Sequence, residues 1–344
     1  METRTAPTPA VRPLLELSTA FWRAKVVLTG VELGLFTALA DGPAGTAQIC
    51  ERLGLNGRAV EEYLDSLTSL GMLERTAEGY RNSAAADAYL VEGRPGYLGG
   101  WMRMTSSRLY EAWSRLPDGL RTGEPQLTGP MSDNFFPNLY QDLDALRRFI
   151  SGMDSLTNLI GPDLAGAFDW SATETFIDIG GARGNLASVL AQAHPHLRGG
   201  VFDLPHLKPL FEELTSERGV ADRLQFHSGD FFADPLPEAD VLVFGHILHD
   251  WNDEQRRSLL DRAFQSVRPG GAVLIYDRMI DDAAGARTLS LLGSVNLLLV
   301  TPGGSEYRVS DCRDWLHAAG FDRTASVPLL EDTETVVIGR KPVA

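Results

Sequence analysis

The chain has 344 residues, 44% of them apolar, enough for a full-sized core and for two domains rather than one. Its 31 Lys and Arg against 46 Asp and Glu leave a net charge of −15, a field that repels nucleic acid and anionic lipid. The two distant cysteines, Cys50 and Cys312, have no CxxC spacing, so neither a disulfide framework nor a zinc site is expected, which suits a reducing cytoplasm.

The opening METRTAPTPAVRP is polar and proline-rich, without the apolar stretch of a signal peptide, and reads as disordered. No later apolar run approaches the roughly 20 residues that span a bilayer, so a soluble, cytoplasmic protein without a membrane partner is expected. From Leu14 to Leu39 the pattern turns helical, with Leu17, Phe21, Val27, Val31, Leu35 and Leu39 near one stripe. So much apolar surface on a terminal helix calls for a large partner, and a second subunit is the natural one. In residues 45–83, Thr46 is read as the cap of a short helix ending near Gly54. Asn56 is read as the cap of a second, which carries Val60, Leu64, Leu67 and Leu70 and closes at Gly71. A small hairpin turning at Glu78-Gly79 follows, so the segment has a winged-helix pattern. Its would-be recognition helix points Glu61, Glu62 and Asp65 outward against a single Arg58, the wrong sign for DNA, so a scaffold or dimerisation role is favoured.

Residues 97–168 read as helical and gather Trp101, Met102, Met104, Tyr110, Trp113, Phe135, Phe136, Tyr140 and Met153. Core packing explains most of them, but the turn-rich GPMSDNFFPNLY with its paired aromatics also suits the lining of a pocket for a flat ligand. From Thr175 strands alternate with helices: TFIDIGGARGN, GGVFDLPHL, RLQFHSGDFF, ADVLVFG and GGAVLIYD. The fold class expected is α/β, a Rossmann-like doubly wound sheet over residues 101–344. It follows a winged-helix-like dimerisation domain over residues 1–100 that is all-helical apart from the hairpin.

No register of GGARGN supplies G-x-G-x-x-G or a Walker lysine, so the turn has no cradle for a phosphate. Asp203 follows about twenty residues on, where an acid takes both hydroxyls of a ribose. Asp230 ends the third strand, within reach of an adenine amino group, with Phe231 against the ring face. A nucleoside without phosphates fits this edge. In VLVFGHILHDWNDEQRR, His246 and His249 stand where an apolar strand runs out, the edge at which open α/β sheets bind ligands. Asp250, Asn252 and Asp253 are good caps for the helix that begins near Glu254, Trp251 reads as packing, and His246 reads as a seal on the strand end.

Taken in order and spacing, DIGGARGNL, FDLPHL, GDFF, HILHDWND and GGSEYRVSD resemble the S-adenosylmethionine-dependent O-methyltransferases similar to caffeic acid and hydroxyindole O-methyltransferases, whose bacterial relatives decorate aromatic natural products. The resemblance covers almost the whole chain and implies an interlocked homodimer through the N-terminal module. It implies S-adenosylmethionine as cofactor, a small aromatic substrate, and no metal or nucleic acid. Gly180 matches the glycine facing the cofactor's aminoacyl part, Asp203 the ribose-binding acid, and Asp230 and Phe231 the adenine contacts. His249 matches the catalytic base, and Asp277 and Glu306 the two acids flanking it. Gly245 stands where many relatives have a lysine, so only backbone contact with the cofactor is expected there. Ala182 replaces the usual middle glycine, and its methyl is expected to fit only if φ stays negative. Asp277 is one methylene shorter than the usual glutamate, which shortens its reach to His249. Met153, Trp101, Phe135 and Asn296, the last polar within the apolar SVNLLLV, are the expected substrate-lining residues. Two other functions fit the same residues: C- or N-methylation, or a non-methylating reaction, on this fold and cofactor; and a winged-helix regulator that senses a nucleoside-like ligand.

Overall fold

The computed structural model describes residues 10–127, 143–280 and 288–343. They fall into two compact units, Met1–Ser107 and Arg108–Ala344. Phe135, Phe136 and Tyr140 lie outside the described residues.

In the first unit, helices Thr46–Leu53 and Val60–Ser69 precede the hairpin of β1 (Leu73–Thr76) and β2 (Gly79–Asn82). Leu64, Leu67 and Leu73 are buried with Ile49, Phe36 and Tyr80 in one apolar cluster. The apolar stripe is broken in two, as Gly30 and Gly34 within it suggest. Gly34 adopts φ +72° and separates helix Ala20–Glu32 from the short turn Leu35–Ala38. Leu28, Val31, Leu35 and Leu39 are buried, whereas Leu14, Leu15, Leu17, Phe21 and Trp22 are each more than half exposed. Both expected caps also move. Gly45, not Thr46, is the N-cap, with its N–H donated to Gln48 Oε1 at 3.0 Å. Asn56 accepts from Arg58 N in a local turn, because Gly57 and Ala59 at positive φ intervene before the helix starts at Val60. The acids of that helix are not simply outward. Arg75 of the hairpin pairs with Glu61 and Asp65, both at 2.9 Å, and Tyr80 donates to Asp65 at 2.8 Å.

The second unit is built on seven strands in the order β5-β4-β3-β6-β7-β9-β8. These are β3 (Thr175–Ile179), β4 (Arg198–Asp203), β5 (Leu224–Ser228), β6 (Ala239–Gly245), β7 (Val267–Asp277), β8 (Arg323–Leu329) and β9 (Glu334–Arg340). β3 to β7 pair in parallel and β9 runs antiparallel to β7 and β8. Central parallel strands are covered on both faces, which is why VLVF of β6 is a continuous apolar run with every residue buried. On one face Ile177, Ile179, Leu242, Phe244, Val273 and Ile275 pack with Leu259, Leu260, Ala263 and Leu316. Such full burial contributes about 1.5–3 kcal/mol per large side chain.

The chain leaves β3 toward β4 on one side and reaches β6 on the other, so the strand order reverses between β3 and β6. A crevice opens at such a switch point, beyond the carboxyl ends of the strands. The glycine turn after β3 and the histidine pair after β6 are therefore brought face to face: a Cβ on Gly180 would lie 2.4 Å from Ile247 Cδ1. A hollow of about 270 Å³ lined by Thr175, Arg198, Arg223 and Glu238 opens at the opposite, amino edge of the sheet and takes no part in this crevice.

Candidate active site

The cofactor side of the crevice is built from three strand ends. Gly180 sits at φ +71°, and only a residue without Cβ fits against Ile247, with the Phe231 ring 3.7 Å beyond. Asp203, at the tip of β4, accepts Ala182 N at 2.8 Å on Oδ2 and Leu204 N at 2.7 Å on Oδ1. Each carboxylate oxygen has a second lone pair, so both remain able to accept a ribose hydroxyl. Burial pushes the Asp203 carboxyl up to about 6 against the pull of those two donors. Ala182 departs from expectation, since its φ is +49°. The bond from its N–H to Asp203 holds it in the left-handed region, and its methyl packs beside Leu146, Ile150, Leu207 and Leu210, offsetting a cost of about 1–2 kcal/mol. Asp230 is exposed two residues past the end of β5, with Oδ1 accepting Phe232 N at 2.8 Å. Phe231 is half-buried with Phe232 and Trp251 in an edge-on cluster, which bears out Trp251 as packing. At Gly245 a Cβ would lie 2.1–2.3 Å from the Tyr276 ring, so glycine here makes room for that tyrosine and leaves only backbone to face outward.

These residues suit the nucleoside and aminoacyl parts of S-adenosylmethionine. Gly180 permits close approach, Asp203 presents an acceptor on each oxygen, and Phe231 offers a ring face.

The chemical side is centred on His249, in the single turn Leu248–Asp250 after β6. Its Nδ1 lies 3.2 Å from Glu306 Oε1 and 3.4 Å from Asp277 Oδ1. With its proton on Nδ1 the ring donates to Glu306, and Nε2 then lies 3.7 Å from Asp250 Oδ1. The shorter Asp277 thus reaches ion-pair distance, but the hydrogen bond goes to Glu306. Asp277 is held from behind by the Tyr307 hydroxyl, which donates to its Oδ2. The His249 side chain keeps 14% exposure while those of Asp277 and Glu306 keep 0% and 2%, so only the imidazole edge is open to a ligand. Burial works against a charge on His249, yet Asp277, Glu306 and Asp250 outweigh it and raise its pKa to about 10. Burial, with Glu306 beside it, likewise raises Asp277 to about 8 against the pull of His249.

Four contributors escaped the sequence reading. Asp250, taken there as a possible cap, lies 3.7 Å from His249 Nε2, while Asn252 caps the helix Asp253–Ser266 in a reciprocal pair with Gln255. Tyr307 carried no signal beyond its place beside Glu306. Arg256 is 1% exposed, and its guanidinium donates to Leu248 O at 2.9 Å and Ser305 O at 2.6 Å, tying the His249 loop to the Glu306 loop. Gly304 completes the seam. Ser305 N donates to His249 O at 2.9 Å, and a Cβ on Gly304 would meet that oxygen at 2.5 Å. Gly304→Ala is therefore expected to pry Glu306 from the imidazole and lower kcat about tenfold or more, with cofactor affinity unchanged. Steady-state kinetics beside a calorimetric titration with S-adenosylhomocysteine read both.

Two of the expected substrate residues lie on helices of the second unit. Met153 is half-buried on the long helix Leu143–Ala167, and Asn296 is half-buried on Thr288–Val300, where its Oδ1 accepts from Trp113 Nε1 at 3.0 Å. Trp101 belongs to the first unit, on helix Gly99–Met104.

A switch-point crevice with an acid at the second strand tip and a carboxylate-backed imidazole after the fourth parallel strand defines a nucleoside-dependent group-transfer enzyme. Comparison makes the class definite. Residues 113–322 match the O-methyltransferase domain family and residues 15–92 the O-methyltransferase dimerisation domain family. The tetracenomycin polyketide synthesis 8-O-methyl transferase of Streptomyces glaucescens is 47% identical over 96% of both chains. An N,N-dimethyltransferase of Streptomyces rimosus is 42% identical over 92% of both. Among solved structures, human N-acetylserotonin methyltransferase in complex with its methyl donor superposes with a TM-score of 0.89 at 26% identity, covering 100% of both chains. The chain belongs to the O-methyltransferase family, whose methyl donor is S-adenosylmethionine.

Proposed function

We propose that this enzyme transfers a methyl group from S-adenosylmethionine to a phenolic or enolic hydroxyl of a small aromatic natural product, with His249 as the base and Glu306 and Asp277 orienting it. The supporting observation is the ring's polarity: Nδ1 faces the buried Asp277 and Glu306, and Nε2 has only the partly exposed Asp250 at 3.7 Å, beyond hydrogen-bond distance, so it can take an acceptor's hydrogen. A phenol of pKa about 10 is mostly neutral at pH 7, and losing its proton makes the oxygen nucleophilic. His249, raised to about the same value, takes that proton without an uphill transfer, and the carboxylates stabilise the imidazolium formed. The bound sulfonium supplies an activated methyl and a nearby positive charge, which favours the neutral ring before transfer. Gly180, Asp203, Asp230 and Phe231 hold that donor, and Met153 and Asn296 line the acceptor side within the second unit. The matched dimerisation domain and the exposed Leu14, Leu15, Leu17, Phe21 and Trp22 support a homodimer through the first unit.

The N,N-dimethyltransferase relative favours a second reading, methylation of an amine in the same crevice. Labelled S-adenosylmethionine offered with matched hydroxyaromatics and arylamines separates the two. Labelled ethers support the first reading; labelled amines alone would replace it.

The proton count gives a pH signature. An imidazolium cannot accept a proton, so kcat/KM is expected to rise with pH as His249 deprotonates. Glu306→Gln removes one carboxylate that raises the pKa, and the inflection is expected to move to lower pH; a phenol's own ionisation would not move. Stability runs the other way. A folded pKa of about 10 lies above the ordinary 6.5, so the stabilisation is full below about 6.5 and is lost as pH climbs through 10. Melting curves of wild type and His249→Gln across that window check the sign.

A further inference from the structure

His246 has no part in the reaction above, yet it is held with unusual care. Its φ is +53°, rare for a side-chain-bearing residue, and its N–H donates to Tyr276 O at 3.0 Å. Its ring stands edge-on to Tyr276, with centroids 5.2 Å apart, and 5.4 Å from the ring of His249. His246 Nε2 is buried without a hydrogen-bond partner among the described residues, and so is Asp277 Oδ1. Unmet buried polar atoms are costly one at a time, and two such residues in one cluster call for a group that meets them.

The donor set says what that is. One ring nitrogen of His246, one of His249 and one Asp277 oxygen lie within 4.8 Å of one another. Imidazole nitrogens bind zinc at about 2.0–2.1 Å, which sets tetrahedral ligands about 3.3 Å apart, so small rotations about the side-chain bonds close the set. Two nitrogens and one oxygen suit a borderline divalent ion, not the all-oxygen shells of magnesium or calcium. Asp250, Glu306 and Glu334 add acidic side chains around the site, and Arg278 is paired with Glu334 at 3.2 Å. Burial, together with His249 and Arg278, keeps His246 neutral with its lone pair available.

We propose that His246, His249 and Asp277 form a binding site for a divalent transition-metal ion, zinc fitting best, and that metal bound there silences methyl transfer. The ion takes one nitrogen of His249, the imidazolium releasing that nitrogen's proton to solvent, and leaves no base for the acceptor. Three protein ligands leave the fourth tetrahedral position to a water or acceptor oxygen. The inhibitory half rests on His249 being the base; uptake of the metal does not.

The test uses the full chain freed of metal by chelator dialysis, then titrated with Zn²⁺ against a chromophoric chelator, with Mg²⁺ in parallel. One zinc per chain is expected, no competing magnesium, and a methylation rate that falls with occupancy and returns with chelator. His246→Asn, chosen because asparagine tolerates positive φ, is expected to bind zinc about 100-fold more weakly while melting near the wild-type temperature. Its rate, relative to its own zinc-free rate, is expected to stop responding to zinc. No zinc uptake by the wild type, or uptake that His246→Asn leaves unchanged, would overturn the site. Uptake that depends on His246 while methylation continues would overturn the inhibition and the role of His249 as base, leaving the metal site standing.

Discussion

His249→Asn is expected to lower kcat for methyl transfer by about 10²–10⁴-fold, the range for removal of a positioned base, and to leave affinity for S-adenosylhomocysteine within about threefold. The separation follows from geometry. The imidazole lies 3.2 and 3.4 Å from Glu306 and Asp277 and belongs to the turn after β6, whereas the nucleoside contacts we propose come from the tips of β3, β4 and β5. Asparagine keeps a hydrogen-bonding amide near the two buried carboxylates, so the fold is not asked to bury them bare. Acceptors that are already ionised at the assay pH should lose least, because they have no proton to give. Rates measured on a series of phenols of falling pKa provide that comparison, and a uniform loss across the series would point to lost packing instead.

Asp203→Ala is the complementary experiment and should do the reverse. It removes an anionic acceptor from the ribose position, where each charge-assisted bond contributes about 1.5–3 kcal/mol, so donor affinity is expected to fall by about 10²-fold or more. It also frees the Ala182 N–H that Asp203 Oδ2 holds at 2.8 Å, so the turn loses the bond keeping Ala182 at φ +49°. At saturating donor the chemical step should recover, since nothing in the His249 cluster has changed. Calorimetric titration with S-adenosylhomocysteine and kcat at several donor concentrations separate these effects. A kcat defect that persists at saturation would mean that Asp203 also orients the transferring methyl.

The sheet and the residues that stand at its strand ends were legible because each rests on local pattern. Buried parallel strands read as apolar runs, glycine and aspartate mark their tips, and the histidine pair sits where VLVFG ends. What stayed hidden depends on partners distant in sequence. The left-handed Ala182 is held by a carboxylate 21 positions away. Arg256 looks like a solvated helix arginine until the carbonyls of Leu248 and Ser305 converge on it. Glu61 and Asp65 read as outward acids because Arg75 answers them from a different element, the hairpin. Asp250 looks like one more cap beside Asn252, and only the turn after β6 swings it toward His249. The start of the second helix moved to Val60 for a local reason, the positive φ of Gly57 and Ala59, which sequence alone states weakly.

A crystal structure of the enzyme with S-adenosylhomocysteine and a hydroxylated aromatic acceptor tests the central assignment most directly. The account predicts the nucleoside across the carboxyl ends of β3 and β4, its ribose on Asp203, and the acceptor oxygen about 3 Å from His249 Nε2, in line with the sulfur. An acceptor whose hydroxyl lies away from that nitrogen, or a nucleoside seated elsewhere, would contradict it.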